Sequence, residues 1–351
     1  MNKIKVAVIG CGPVANCHLS GWKKIKNSQI VVAVDINESV GKATAKTWKI
    51  PAYYPSISQA LEREQVDVVD ICTPPQVHAS LAIEAMEKGA AVLIEKPMTM
   101  TLKDSDAILS CAKKTGSTVG VIHNWLFERC VLEAKKAIEH GRLGEVMNVA
   151  IEALALPSDS MAANEKHWCH RLPGGRFGEM LVHPIYLARY FLGGDVLPVD
   201  VQVSKLGTTP WMKSDELYAT FSCGEKLGHV YASFNSPREA IFLSIYGRNG
   251  ILKVDIINSV TIFLPGQTSG RFFSRGYDYL RQAKQLTNST IRNSLALASG
   301  KWLTGHQKYI SLFAECLRNG NKPPVTAQEA RETIAVLEQM CKRVKDIQEK
   351  T

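Results

Sequence analysis

Along the first third of the chain, short runs of consecutive apolar and β-branched residues alternate with stretches in which apolar positions recur every three or four residues. The runs fall at Ile4–Ile9, Ile30–Val34, Val66–Cys72, Ala90–Ile94 and Ser117–Ile122. The amphipathic stretches fall at Val14–Lys24, Glu38–Trp48, Ile57–Glu64, Val77–Lys88 and Leu102–Lys114. Unbroken apolar runs suit strands covered on both faces, and their alternation with helices predicts a parallel, doubly wound sheet.

After Phe127 the rhythm changes. One further helix, Glu128–His140, ends at Gly141. Longer segments then alternate apolar with polar positions, at Glu145–Leu154, Asp200–Leu206, Glu216–Ser222, Lys226–Phe234, Ala240–Tyr246 and Ile251–Ile256. That period marks strands with one buried face, and turn signals such as SCGEK and GRNG join several of them. The pattern predicts an α/β second domain built on a large, mostly antiparallel open sheet. The last helix opens with TAQE, in which Thr326 and Glu329 form a capping box, and it runs to about Gln348.

Length turns this pattern into a domain expectation. At 351 residues the chain exceeds what one core usually supports, so two domains are expected, 1–124 and 125–351. Hydrophobic residues at 45% and charged residues at 21% describe an ordinary globular composition. No stretch reaches the ~18 apolar residues of a membrane span, and an apolar strand beginning at Ile4 leaves no room for an export signal. The nine cysteines are odd in number and form no C-x-x-C, which fits reduced thiols in a cytoplasmic protein. In HWCH, His167, Cys169 and His170 crowd together, but no second pair stands at zinc-like spacing, so no metal is expected.

The net charge of +9 matters less than its distribution. Arg271, Arg275, Arg281, Lys284, Arg292, Lys301 and Lys308 face only Asp278 in their segment. With no nucleic-acid motif beside it, this segment reads as a solvated helical face or as a surface near an anionic ligand.

Chemistry enters at the first turn. VAVIGCGPVA places Gly10, Gly12 and Ala15 directly between a strand and a helix, with Pro13 and Val14 inside the loop. The first glycine permits the tight turn, the second lets backbone approach a pyrophosphate, and the small third residue lets helix pack on strand. The second strand ends VVAVD, which puts Asp35 twenty residues beyond Ala15. A carboxylate there accepts hydrogen bonds from ribose hydroxyls and repels a 2′-phosphate, and no arginine follows at once, so NAD is expected rather than NADP. Ligands of such sheets lie beyond the carboxyl ends of the strands. Two further strand ends are therefore candidates: Thr73, Pro74, Pro75 and His78 in CTPPQVH, and Glu95, Lys96 and Pro97 in EKP. A lysine beside a cationic nicotinamide and partly out of water is suited to take the proton of an alcohol as hydride leaves its carbon.

GCGPVA, CTPPQVH and EKPM, in this order and spacing, resemble the glucose–fructose oxidoreductase, inositol dehydrogenase and rhizopine-catabolism (Gfo/Idh/MocA) family. The resemblance extends through GRLGEV, DELYATFSCGEKLGHVYASF, IYGRNGILKVDI and FAECLRNGNKPPVTAQEA, nearly the whole chain. It implies a Rossmann domain that binds NAD(P), a second domain whose open sheet forms a homodimer or homotetramer, and hydride transfer at a sugar or cyclitol carbinol. It implies that Lys96 is the catalytic lysine, that Glu95 lies near the nicotinamide ribose, and that a cis peptide precedes Pro97.

The stretch GGRFGEMLVHPIY matches the family's glycine turn and following helix, with His183 as the proton-handling histidine and Glu179 where an aspartate is usual. Four residues apart, the two would share a helical face. Leu181 and Tyr186 depart from the family's small and acidic residues there. Pro184 means that the helix starts or kinks near His183. His123 and Asn124, after the last parallel strand, and Lys166, Trp168, His170 and Arg171, before the glycine turn, complete the expected substrate contacts.

The leading expectation is an NAD-dependent dehydrogenase of a sugar, sugar derivative or nucleotide sugar, with a small-molecule substrate that the basic segment tilts toward an anion and no nucleic-acid partner. Two alternatives share the fold. One is NAD-dependent glycoside cleavage through a transient 3-keto sugar; the other is a non-catalytic NAD-binding sugar sensor, which would have no need of Lys96, Glu179 and His183 together.

Overall fold

The computed structural model describes residues 3–266 and 271–350, and the chain forms two compact units. The first takes in 1–124 and 304–335, and the second 125–303 and 336–351. The segment 304–335, expected in the second domain, instead belongs to the first unit.

The first unit is built on β1 (Ile4–Ile9), β2 (Ser28–Val34), β3 (Ala52–Tyr54), β4 (Val68–Ile71), β5 (Ala91–Ile94) and β6 (Val119–Val121). They pair in the order β3-β2-β1-β4-β5-β6, every pair parallel. Helices α1 (Ala15–Lys23), α2 (Glu38–Trp48), α3 (Ile57–Arg63), α4 (His78–Glu87) and α5 (Leu102–Thr115) alternate with them. Val6, Ala7, Val8, Val68, Val69 and Leu93 are wholly buried, as strands covered on both faces require. Asn37, Ser56 and Thr101 cap α2, α3 and α5 by accepting early backbone N–H bonds. Only β3 was not anticipated; its three residues are too few to show a period.

The second unit begins with α6 (Arg129–Glu139), β7 (Val146–Leu154), α7 (Arg176–Met180) and α8 (Val182–Leu192). It continues with β8 (Leu197–Ser204), β9 (Glu216–Cys223), β10 (Lys226–Ser233), β11 (Ala240–Gly247), β12 (Gly250–Asp255), β13 (Val260–Pro265) and α9 (Arg271–Ala298). The seven strands pair in the order β13-β12-β11-β7-β10-β9-β8, and only β7 with β10 is parallel. Leu217, Ala219, Phe221, Val230, Leu243 and Ile245 fill the covered face, and α8 packs across β7 and β10. The alternate positions Tyr218, Tyr231 and Phe242 stay 45%, 37% and 38% exposed on the other face.

Strand β13 was not anticipated, and α9 covers most of the basic segment that reads as a helical face. Gln285 of α9 donates to Phe263 O (3.1 Å) and accepts from Phe263 N (3.0 Å), covering backbone groups of an edge strand. In the basic segment, Arg292 pairs with Glu133 at 2.7 Å, and the Arg281 guanidinium lies over Tyr277. The side chains of Arg271 and Arg275 lie outside the described residues.

The chain then supplies α10 (Gly305–Asn319) and α11 (Ala327–Gln348). Thr304 and Gln307 form a capping box at the start of α10, and Thr326 with Glu329 forms the expected one before α11. Helix α10 packs on α1. Gly21 makes that approach possible, since a Cβ there would stand 2.7 Å from Ile310 Cδ1. Gln307 also bonds Ser20 of α1 and Lys24 at its C-cap at 3.0 Å each. Among the described residues, no helix is long and apolar enough to cross a membrane.

Candidate active site

The glycine loop has the shape a dinucleotide needs. Gly10 has φ +87°, and a Cβ there would lie 2.9 Å from Cys72 C, so only glycine fits between the ends of β1 and β4. A Cβ on Gly12 would meet nothing within 4 Å, which leaves that side open to a ligand. No side chain caps α1 at Val14, and backbone bonds from Ala15, Asn16 and Cys17 N–H to Gly12, Pro13 and Val14 O close its first turn, so the positive end of the helix dipole faces the loop of Pro13 and Ala15. Asp35 accepts from Cys11 N and Asn37 N at 2.8 Å each, which fixes the carboxylate at the end of β2 beside the loop. Thr73 Oγ1 is buried and has no hydrogen-bond partner among the described residues. An orphaned hydroxyl, an open glycine and an uncapped helix fit the phosphates and ribose of NAD.

Pro75 and Val77 form a short 3-10 turn after Thr73 and Pro74, and it leads into α4. His78, expected against the cofactor, is wholly buried and ties two loops together. Its Nε2 is 2.8 Å from Thr73 O, and its Nδ1 is 3.0 Å from Pro97 O and 3.2 Å from Met98 O. Burial pushes its pKa below the ordinary value against the pull of those carbonyls. Its place is therefore behind the loop that carries Lys96. Lys96 itself is half-buried just past β5, and the peptide between it and Pro97 is cis. His123 and Asn124 are both buried just beyond β6.

Glu95 reveals what sequence reading missed. Its Oε2 accepts the Lys96 backbone N–H at 2.5 Å. Its Oε1 lies 2.9 Å from His306 Nε2 and 3.3 Å from His18 Nε2. The other nitrogen of His18 is 2.8 Å from Asp70 Oδ1, and Trp22 Nε1 donates to Asp70 Oδ2 at 2.7 Å. One signal was visible: Asp70 interrupts the apolar run VDVVDIC, and a lone carboxylate in a buried strand needs partners. Nothing in the sequence connects His306, more than two hundred residues on, to Glu95.

In the second unit the stretch GGRFGEMLVHPIY forms two helices rather than one. Helix α7 ends at Met180, Leu181 is the shared boundary residue, and α8 begins at Val182. Pro184 falls in the first turn of α8, where its missing N–H would have had no partner within the helix. Glu179 and His183 therefore belong to different helices, which corrects the single-helix picture. His183 is stacked on Trp125 at 4.0 Å between ring centroids, and its Nδ1 is 2.7 Å from Tyr186 Oη. That hydroxyl also accepts the Trp125 backbone N–H at 3.0 Å. Tyr186, which stands where the family often has an acid, orients the imidazole.

Glu179 is ion-paired with Arg176, a buried side chain that the sequence reading passed over. Arg176 also reaches Asp159 at 3.4 Å and lies over the Phe234 ring. Burial disfavours its charge, but Glu179 and Asp159 outweigh that and raise its pKa. The loop before the glycine turn forms a 3-10 helix, Trp168–Arg171, begun by His167. His170 Nε2 lies 2.9 Å from Met161 O, Trp168 is half-buried, and Lys166 and Arg171 are exposed. A separate cavity of about 780 Å3 lies between β11–β13 and α9, lined in part by Phe242, Lys253, Leu286 and Trp302, and none of the expected site residues borders it.

Residues 4–123 match the model of an oxidoreductase family with an NAD-binding Rossmann fold, and 131–253 match the GFO/IDH/MocA C-terminal domain. The scyllo-inositol 2-dehydrogenase (NAD(+)) of Bacillus subtilis is 26% identical over 339 residues, 94% of this chain and 90% of that protein. The D-apiose dehydrogenase of Paraburkholderia graminis is 22% identical over 349 residues, 96% and 87% of the two chains. The WlbA dehydrogenase of Bordetella pertussis, solved with NADH and UDP-GlcNAcA, superposes with a TM-score of 0.80 at 19% identity, over 98% of this chain and 96% of that one.

Proposed function

Because the chain belongs to the Gfo/Idh/MocA family of NAD-binding oxidoreductases, we propose that it is a dehydrogenase moving hydride between NAD and a secondary alcohol of a sugar-type substrate. The observation that carries this reading is Lys96, set just past β5 in a sheet whose glycine loop and Asp35 suit NAD. NAD, when bound, supplies the hydride acceptor. As the carbinol C–H electrons leave, the O–H proton passes to the Lys96 amine, and the carbon becomes a ketone. General-base help of this kind contributes roughly 10²- to 10⁴-fold. His183, oriented by Tyr186 and Trp125, assists that proton transfer. Glu179, held by Arg176, accepts hydrogen bonds from substrate hydroxyls, and Trp168 offers a flat face to a sugar ring.

The relatives include dehydrogenases of inositol and apiose, and the WlbA structure holds a nucleotide sugar. These favour a polyhydroxylated substrate, with an anionic one matching the excess of positive charge. They do not favour glycoside cleavage or a sensor. The nine cysteines are all free thiols, which accords with a reducing, cytoplasmic setting. The test is NADH absorbance across a panel of cyclitols, sugars and nucleotide sugars. Lys96→Ala should lower kcat on the active substrate by at least about 10²-fold; unchanged turnover would remove Lys96 from the mechanism.

A further inference from the structure

Behind the cofactor loop, the first unit seals a chain of ionisable side chains that hydride transfer itself does not use. His18 and Trp22 come from α1, Asp70 from β4, Glu95 from the residue after β5, and His306 from the first turn of α10. His18 and Asp70 expose nothing, and Glu95 is 3% exposed. The links are short: Asp70 to His18 at 2.8 Å, His18 to Glu95 at 3.3 Å, and His306 to Glu95 at 2.9 Å.

Charge follows from these contacts. Both ring nitrogens of His18 face carboxylate oxygens, an arrangement that satisfies an imidazolium donating at both ends. Burial opposes that charge, but Asp70 overcomes it and holds the His18 pKa well above its ordinary value. Burial likewise opposes the Glu95 carboxylate, and the donors on His18 and His306 hold its pKa well below the usual range. A neutral His306 suffices for its contact, since it need donate only from Nε2. Two carboxylates and one imidazolium leave one negative charge. Buried charges of this kind are screened little by salt.

The fold says which part of the cofactor this charge meets. A doubly wound sheet binds a dinucleotide across two halves, and the glycine loop with Asp35 assigns the adenosine half to β1–β3. The nicotinamide half therefore falls to β4–β6, where Glu95 stands at a carboxyl strand end and grips the Lys96 backbone. A nicotinamide ring is cationic when oxidised and neutral when reduced.

We propose that the Asp70–His18–Glu95–His306 chain is a fixed negative charge that makes this site bind oxidised cofactor in preference to reduced, and so favours release of NADH and its replacement by NAD+. The proposal rests on the NAD-dehydrogenase reading, but not on the role of Lys96 as base.

Dissociation constants for NAD+ and NADH, measured separately by calorimetry and nicotinamide fluorescence on the full-length protein stripped of cofactor, test it. Glu95→Gln keeps the shape and removes the charge. It should weaken NAD+ on the order of tenfold, as one charge several ångströms away in a medium of effective dielectric ~20 requires, and leave NADH within about twofold. Asp70→Asn removes a carboxylate together with the charge it holds on His18 and should leave the ratio where it was, whereas Glu95→Asn, which also removes the Glu95 charge, serves if the Gln variant folds poorly. His306→Gln retains a neutral donor and should leave the ratio where it was. Equal weakening of both cofactor forms, or no change in the Glu95 variants, would show shape rather than charge at work and overturn the proposal. A shifted ratio in His306→Gln would place the balancing charge on that ring and overturn it equally. A failure of the base assignment shows elsewhere, as Lys96→Ala turnover with the wild-type ratio intact.

Discussion

His18 shows how a single side chain links cofactor site and stability. Its pKa is raised in the folded protein, so the stability it contributes is fully present below the ordinary imidazole value of 6.5 and fades as pH rises through the folded value. Glu95 works from the other side. Its pKa is depressed, so its contribution stands above 4.5 and is lost as pH falls through the folded value. Between those limits the pair is at full strength. Asp70→Asn removes the acceptor that holds the His18 charge and should cost about 3 kcal/mol near pH 6, the scale of breaking a buried ion pair. Urea unfolding at about pH 6 and about pH 9 checks this, because the deficit should narrow at the higher pH as wild type loses the same term. A deficit that widened with pH would mean that His18 is neutral in the native state. Residues such as Asp35, Glu95 and Lys96 are legible in the sequence because each sits at a fixed offset from a strand end. His306 and Arg176 are not, because their roles depend on which distant carboxylate folding brings to them.

Helices α7 and α8 carry the lesson at the level of elements. The i, i+4 spacing of Glu179 and His183 suggests one helix, yet the chain breaks at Leu181 and gives each residue its own anchor. Pro184 signalled a boundary near His183, and the boundary lies at Leu181, two residues before it. Gly178 is fixed by packing in this region, since a Cβ there would stand 2.3 Å from the Pro173 carbonyl oxygen. Gly178→Ala should therefore cost about 2 kcal/mol in thermal or urea unfolding, within the usual range for overpacking, and raise KM by displacing neighbouring Glu179. A variant with wild-type stability and KM would show that α7 shifts freely, against the tight seating described here. Strands and helices with a clear period were readable to within a few residues. The three-residue β3 was not, for want of length, and the helical face of the basic segment gave no hint of what α9 packs on.

For the whole molecule, the open face of the second sheet is the main unexplained surface. Tyr218 and Tyr231 are exposed opposite one another on β9 and β10, with Tyr218 stacked on His229, and Phe242 of β11 continues the row beyond Glu152 of β7. Aromatic rows of this kind are favoured in interfaces, so the chain is expected to form a homodimer or homotetramer through this sheet. Native mass spectrometry should show that oligomer at micromolar concentration, and Tyr218→Glu should shift it toward monomer while leaving the unfolding transition in place. An oligomer unaffected by that charge would move the interface elsewhere.

By itself, the sequence determined the parallel sheet, the NAD loop, the EKP turn and the open antiparallel sheet. These follow from periodicity and from short-range spacing, which act within one or two elements. Tertiary structure alone decided that 304–335 belongs to the first unit, that His306 closes a buried charge chain behind Lys96, and that Arg176 holds Glu179. Buried polar groups must find partners wherever the fold supplies them. Which partner is supplied depends on packing between segments far apart in the chain, and no local pattern records it.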